Sequence, residues 1–134
     1  MNNASDVDQL NQEAWALRIA DPHQAIAVAM RALSAAENLE HQGGKAQSLY
    51  ILGHCHYRVG DYEQARAQEL MAFALFEELQ DHEGQADTLN TIGNIHSALG
   101  DHHTAFTYYL RGLSIRQTIG VSPRGAQPGE IEAR

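Results

Sequence analysis

Eight histidines and a single cysteine are the residues of this sequence that most obviously could do chemistry. The run His54-Cys55-His56 sets two imidazoles beside a thiol, the makings of a metal site or of an activated nucleophile. On a helix, however, successive side chains point about 100° apart, so these three donors do not converge on one ion. His102-His103 has the same defect, and no Cys-x-x-Cys, His-x-x-x-His or Glu-x-x-His pair occurs. No metal is expected. The chain also lacks a glycine-rich phosphate loop, a nucleophile elbow, and a serine or cysteine with a recognisable base nearby. Charged flanking histidines could lower the pKa of Cys55, but the simpler reading is a half-buried small residue. His56 and His96 read as hydrogen-bonded interior residues. Neither catalysis nor a cofactor is expected.

The residues suited to binding lie on a repeated frame. "LGHCHYRVGDYEQARAQ" from Leu52 and "IGNIHSALGDHHTAFTY" from Ile92 share Gly53/Gly93, His56/His96, Gly60/Gly100, Asp61/Asp101 and Ala65/Ala105, each pair 40 apart. Asp21 and Ala25 extend the series backward into a first copy whose leading helix is one residue shorter at its turn, so that Ala14 replaces the glycine. Each copy holds two segments with apolar residues every three or four positions, and no alternating pattern persists, so the chain reads as all helix. Gly60-Asp61 ends one helix with a left-handed residue and caps the next, with Gln64 placed as a capping-box partner. The expected helices are 6–20, 23–39, 44–59, 62–79, 84–99 and 102–119. Gly53 and Gly93 lie mid-helix, where glycine costs roughly 1 kcal/mol, and so mark close approach of two helices. Large residues such as Phe73 and Leu113 are expected to fill the space between hairpins.

Leu49, Leu52, Gly53, Gly60, Asp61, Tyr62, Ala65 and Ala72 in one copy resemble the tetratricopeptide repeat. Leu89, Ile92, Gly93, Gly100, Asp101, Ala105 and Tyr109 do so in the next. The 40-residue spacing is similar to a longer variety of that family, found in polarity scaffolds and in N-terminal arms of bacterial signalling proteins. The resemblance implies an all-α solenoid of three helical hairpins over residues 6–120, with repeats near 6–40, 44–80 and 84–120. Residues 121–134 are expected to be a flexible tail or the start of a fourth repeat. Departures are Glu69, where the family has a large apolar residue, and His56 and His96, where it has an aromatic one.

The resemblance further implies a concave groove, lined by the first helix of each hairpin, that holds a peptide or a partner helix. By position its lining includes Trp15, Arg18, Gln47, Tyr50, His54, Tyr57, Arg58, Asp87, Asn90 and Asn94. Asn90 and Asn94 stand one turn apart and can donate to and accept from a peptide backbone. Trp15, Tyr50 and Tyr57 are amphipathic anchors, with the alternative that Trp15 and Tyr50 only pack between hairpins. The function this implies is a non-catalytic protein-binding scaffold. The alternative is a sensory or dimerising arm of a larger bacterial signalling protein such as a diguanylate cyclase.

Bulk properties narrow the partners. The net charge of −8 repels phosphate backbones and argues against nucleic acid, while it would attract a basic peptide. No apolar run approaches the roughly 18 residues of a membrane span. The beginning "MNNASDVDQL" has no secretory pattern, and the lone cysteine suits a reducing cytoplasm. The last helix carries Phe106, Tyr109, Leu110 and Leu113, after which "GVSPRGAQPGEIEAR" offers no long helix to cover them. A homodimer through the C-terminal hairpin is therefore expected, with the alternative that the tail folds back over this face.

Overall fold

The computed structural model describes residues 3–120. They form six helices: α1 Ala4–Leu17, α2 Pro22–Leu39, α3 Gln42–Arg58, α4 Tyr62–Glu78, α5 His82–Ala98 and α6 His102–Gly120. No strand occurs among the described residues. Each helix packs on the next along the chain, and the first helices also touch in series, α1 on α3 and α3 on α5. Short turns and these neighbour contacts make three stacked hairpins. The expected tail at 121–134 lies outside the described residues.

The caps explain where the helices begin. Asp21, Asp61 and Asp101 accept from the backbone N–H groups of Gln24, Gln64 and Thr104, at 3.1, 3.4 and 3.2 Å. Gly60 and Gly100 take φ of 88° and 85° just before two of these caps. A capping box does form, between Asn3 and Asp6 at the start of α1. Helices α3 and α5 start two residues earlier than expected, because His41 and Asp81 cap them by accepting from Gly44 N and Gly84 N. Gly43, expected before the helix, lies inside the first turn of α3. At its other end α1 stops at Leu17 rather than residue 20, and residues 18–20 form the turn into Asp21, whose N–H bonds Leu17 O.

The turns between hairpins use no glycine. Glu40 and Gln80 sit there with φ of 53° and 55°. Left-handed backbone costs an L-residue about 1–2 kcal/mol, part of which glycine gives back through its looser unfolded chain. Glu40→Gly and Gln80→Gly should each therefore stabilise by about 0.5 kcal/mol, read from the urea midpoint at unchanged slope.

Ile51, Leu52, Leu89, Ile92 and Ile95 form the buried centre, interleaved with fully buried alanines such as Ala25, Ala65 and Ala72. Small residues set the helix spacing. A Cβ at Gly93 would lie 2.6 Å from the Tyr109 ring, and one at Gly84 2.3 Å from the Phe76 ring. Leu113 does not fill an inter-hairpin space as expected but is 52% exposed, because no further helix among the described residues covers it.

Candidate functional site

The three first helices pack in series, α1 on α3 and α3 on α5. In the N-terminal half of this series, α1 contributes Trp15 and α3 contributes Tyr50 and His54. Their rings stack loosely, with centroids 5.5 Å apart for Trp15–Tyr50 and 5.2 Å for Trp15–His54. Arg18 covers Trp15, its guanidinium carbon 3.9 Å from the ring centroid and its Nη1 donating to Trp15 O. Tyr57 leans against Tyr62 of α4 at 5.9 Å, whereas Gln47 and Arg58 are exposed. A cleft of about 280 Å3 opens here between α1 and α3, lined by Asp8, Gln12, Trp15, Gly43 and Gln47 among others. Asn11 at its floor is not available to a partner. Its Nδ2 donates to Gly44 O at 3.2 Å and its Oδ1 accepts from Ser48 at 2.9 Å, which ties α1 to α3.

The C-terminal half is polar. Asn90 is exposed and borders a second cleft of about 160 Å3 with Tyr109, Leu113 and Arg116. Asp87 is bound to Arg116 of α6 at 2.9 Å. Asn94 has one end of its amide engaged, because the Tyr109 hydroxyl donates to its Oδ1. The structure brings Trp15, Arg18, Tyr50 and His54 into contact and divides the remaining expected groove residues. Gln47, Arg58 and Asn90 remain open, Trp15 and Arg18 are half-buried, and Tyr50 is 9% exposed and serves mainly as floor. Tyr109, expected at a self-association surface, is instead half-buried against Gly93 and Asn94.

Burial governs the local acid–base behaviour. It holds the His54 imidazole down at about 4, helped by the charges of Arg18 and Arg58. Cys55 is fully buried rather than half-buried, and this burial pushes its thiol up to about 11. It likewise raises the Tyr50 phenol, with Asp87 adding to the effect. His56 is an interior residue bonded to Gln68 at 2.7 Å. His96 stacks on Tyr108 and lies 3.6 Å from Asp101, but its Nε2 has no hydrogen-bond partner. Among the described residues no group of three or more His, Cys, Asp or Glu could hold a metal. No helix there is long and apolar enough to cross a membrane.

Glu69, a departure from an apolar family position in the sequence, is not among the expected site residues but has an unusual setting. Glu69 of α4 is completely buried, its carboxyl against Gly53, and neither oxygen has a hydrogen-bond partner. Burial first, and Asp87 second, hold its carboxyl well above the usual carboxylate range. The available signal was its register, 40 residues before Tyr109.

Comparison with known proteins agrees with this geometry. A sequence profile described as tetratricopeptide repeat matches residues 46–118, more than half of the chain. Among solved structures, the TPR domain of Arabidopsis FLU is similar at 20% identity and a TM-score of 0.76, covering 84% of this chain and 95% of its own. BtubC (BKLC) from P. vanneervenii is similar at 20% identity and a TM-score of 0.76, covering 90% of this chain and 50% of its own. No curated protein sequence matches significantly.

Proposed function

The chain belongs to the tetratricopeptide repeat family, and from that premise we propose that it is a non-catalytic scaffold holding a protein or peptide on the face of α1, α3 and α5. Such repeats generally serve as protein-interaction scaffolds. The observation that carries the proposal is the cleft beside Trp15, where an aromatic wall meets the amide side chains of Gln12 and Gln47. Amides of this kind can pair with an extended backbone, and a partly buried tryptophan supplies contact area at low entropy cost. The overall charge of −8 favours approach by a basic partner.

Selection from a displayed random-peptide library supplies a probe for the test. Trp15→Ala and Asn90→Ala should each weaken the selected peptide about tenfold, or 1.4 kcal/mol, with the helical circular dichroism unchanged. Equal affinity for wild type and both variants would place the binding surface elsewhere.

A second reading, a dimerising or sensory arm of a larger bacterial signalling protein such as a diguanylate cyclase, is favoured by one feature. Phe106, Leu110 and Leu113 are 60%, 48% and 52% exposed along one stripe of α6. Burying this stripe in a twofold pair would remove apolar area from water. The expected result is a dimer by light scattering at micromolar concentration that Leu113→Glu converts to monomer. A wild-type monomer counts against it.

A further inference from the structure

Two polar groups in the middle hairpin have buried atoms without a hydrogen-bond partner, and the register of the repeat pairs their positions. Helices α5 and α6 repeat α3 and α4 at an offset of 40, and in that later copy the Tyr109 hydroxyl donates to Asn94 Oδ1. The same two positions in the earlier copy are Glu69 and His54. Glu69 lies against Gly53, the residue next to His54, so the register is kept. A glutamate is shorter than a tyrosine, however, and the contact is not closed. Both Glu69 oxygens and His54 Nδ1 are sealed from solvent without partners. An unpaired buried polar group costs roughly 1–3 kcal/mol, and an unpaired buried charge far more.

We propose that Glu69 and His54 form a proton-operated latch beneath the groove floor, whose state sets how Trp15 and Tyr50 are presented to a partner. The proposal rests on the groove reading above. With Glu69 protonated, His54 stays in the stack against Trp15 and Tyr50, as in this structure. When Glu69 releases its proton to solvent, the carboxylate requires a donor. By register the candidate is the His54 ring, which turns inward and donates a ring N–H while remaining neutral. Turning it removes one wall of the aromatic stack and loosens the Arg18–Trp15 edge of the groove.

The surrounding groups are consistent with this order of events. From α5, the negative charge of Asp87 opposes ionisation of Glu69. From α1 and α3, Arg18 and Arg58 oppose a charge on His54, so the ring acts as a neutral donor. Tyr50 and Cys55 of α3, which also feel the Glu69 charge, are themselves held neutral by burial. A partner cation that adds to the compensation Arg116 already gives Asp87 would favour the ionised, turned state. Occupancy of the groove and protonation of Glu69 are then coupled.

Trp15 is the only tryptophan in the chain and lies on His54, so its emission reports the latch without any partner. The test is Trp15 fluorescence of the full chain from about pH 5 to about pH 9, with helix content followed by circular dichroism. Wild type should show a reversible emission change while helix content is constant. Glu69→Gln, or Glu69→Met if the glutamine variant does not fold, should lose the change. His54→Asn should lose it as well. The latch is overturned if wild type shows no change over this range, or if either the Glu69 or the His54 variant keeps it. Failure of the groove reading is separable, since it would appear as unaltered peptide affinity in Trp15→Ala with this emission change intact.

Discussion

Replacing Glu69 by tyrosine together with His54→Asn is expected to stabilise the chain by about 2 kcal/mol, because it rebuilds in the middle hairpin the Tyr109–Asn94 bond of the last one. The gain has two sources. A buried carboxyl without a hydrogen bond is removed, and an aromatic ring takes its place against Gly53, as Tyr109 does against Gly93. Against it stands the packing of α5, which covers Glu69 whereas the equivalent cleft beside Tyr109 is open. Overpacking costs about 1–3 kcal/mol, which is why the expected gain is smaller than the sum of its sources. Urea unfolding of the double variant decides, and a lower midpoint would mean that the glutamate is retained for its smaller volume.

The pH dependence carries the same argument with a definite sign. Glu69 binds its proton more tightly when folded than its ordinary value of 4.5. Its contribution is therefore greatest below 4.5 and is lost as pH rises toward the raised folded value, at about 1.4 kcal/mol per pH unit. His54 acts in the opposite sense, since its folded value near 4 lies below the ordinary 6.5. Its contribution is present above 6.5 and is lost as pH falls toward 4; partial exposure of the ring screens it. The two effects oppose one another above 4.5, and His54 adds nothing to the slope above 6.5. Wild type should lose stability on the alkaline side, and Glu69→Gln should flatten that limb. Superimposable pH profiles for wild type and Glu69→Gln would contradict the assignment.

Gly84→Ala is expected to cost about 2 kcal/mol, the second large effect, and Gly53→Ala to be near neutral. Both glycines sit inside helices, so alanine gains about 1 kcal/mol of helix propensity at either position. What differs is the obstacle. The new methyl at Gly84 would lie 2.3 Å from the Phe76 ring, which is only 3% exposed and enclosed between hairpins. At Gly53 it would meet the Glu69 side chain from Oε2 back to Cγ, which is as enclosed as Phe76 but has more rotatable bonds through which to give way. The overpacking penalty thus exceeds the propensity gain at one site and roughly balances it at the other. Chemical unfolding of the two single variants gives the ranking, and the reverse order would show that the joint between the second and third hairpins yields more easily than the helix pair within the second.

The two glycines also mark how far the sequence could be read. Residue type and spacing were enough for the helical hairpins, because the 40-residue recurrence and the caps at Asp21, Asp61 and Asp101 are local signals. A cap acts through the backbone within three residues, so it can be recognised in one dimension. The same holds for Gly60 and Gly100, whose positive φ answers a local need to reverse the chain. The caps at His41 and Asp81 are less legible, because each lies three residues before the expected helix starts at Gly44 and Gly84. Stacking of the hairpins holds those glycines in the first helical turn.

The candidate groove could be proposed only as a set of positions, Trp15, Tyr50, His54, Asn90 and Asn94 among them, because the family resemblance and not any local signal assigns them. Which of them are free was decided only by tertiary structure. Asn94 is engaged by Tyr109 and Asp87 by Arg116, both from α6. Tyr50 is floor because Trp15 lies on it from another hairpin. Glu69 looked like a weakened packing position in the sequence. Its burial without a hydrogen bond arises where α3, α4 and α5 meet, because desolvation depends on every helix around a group and not on the one that carries it.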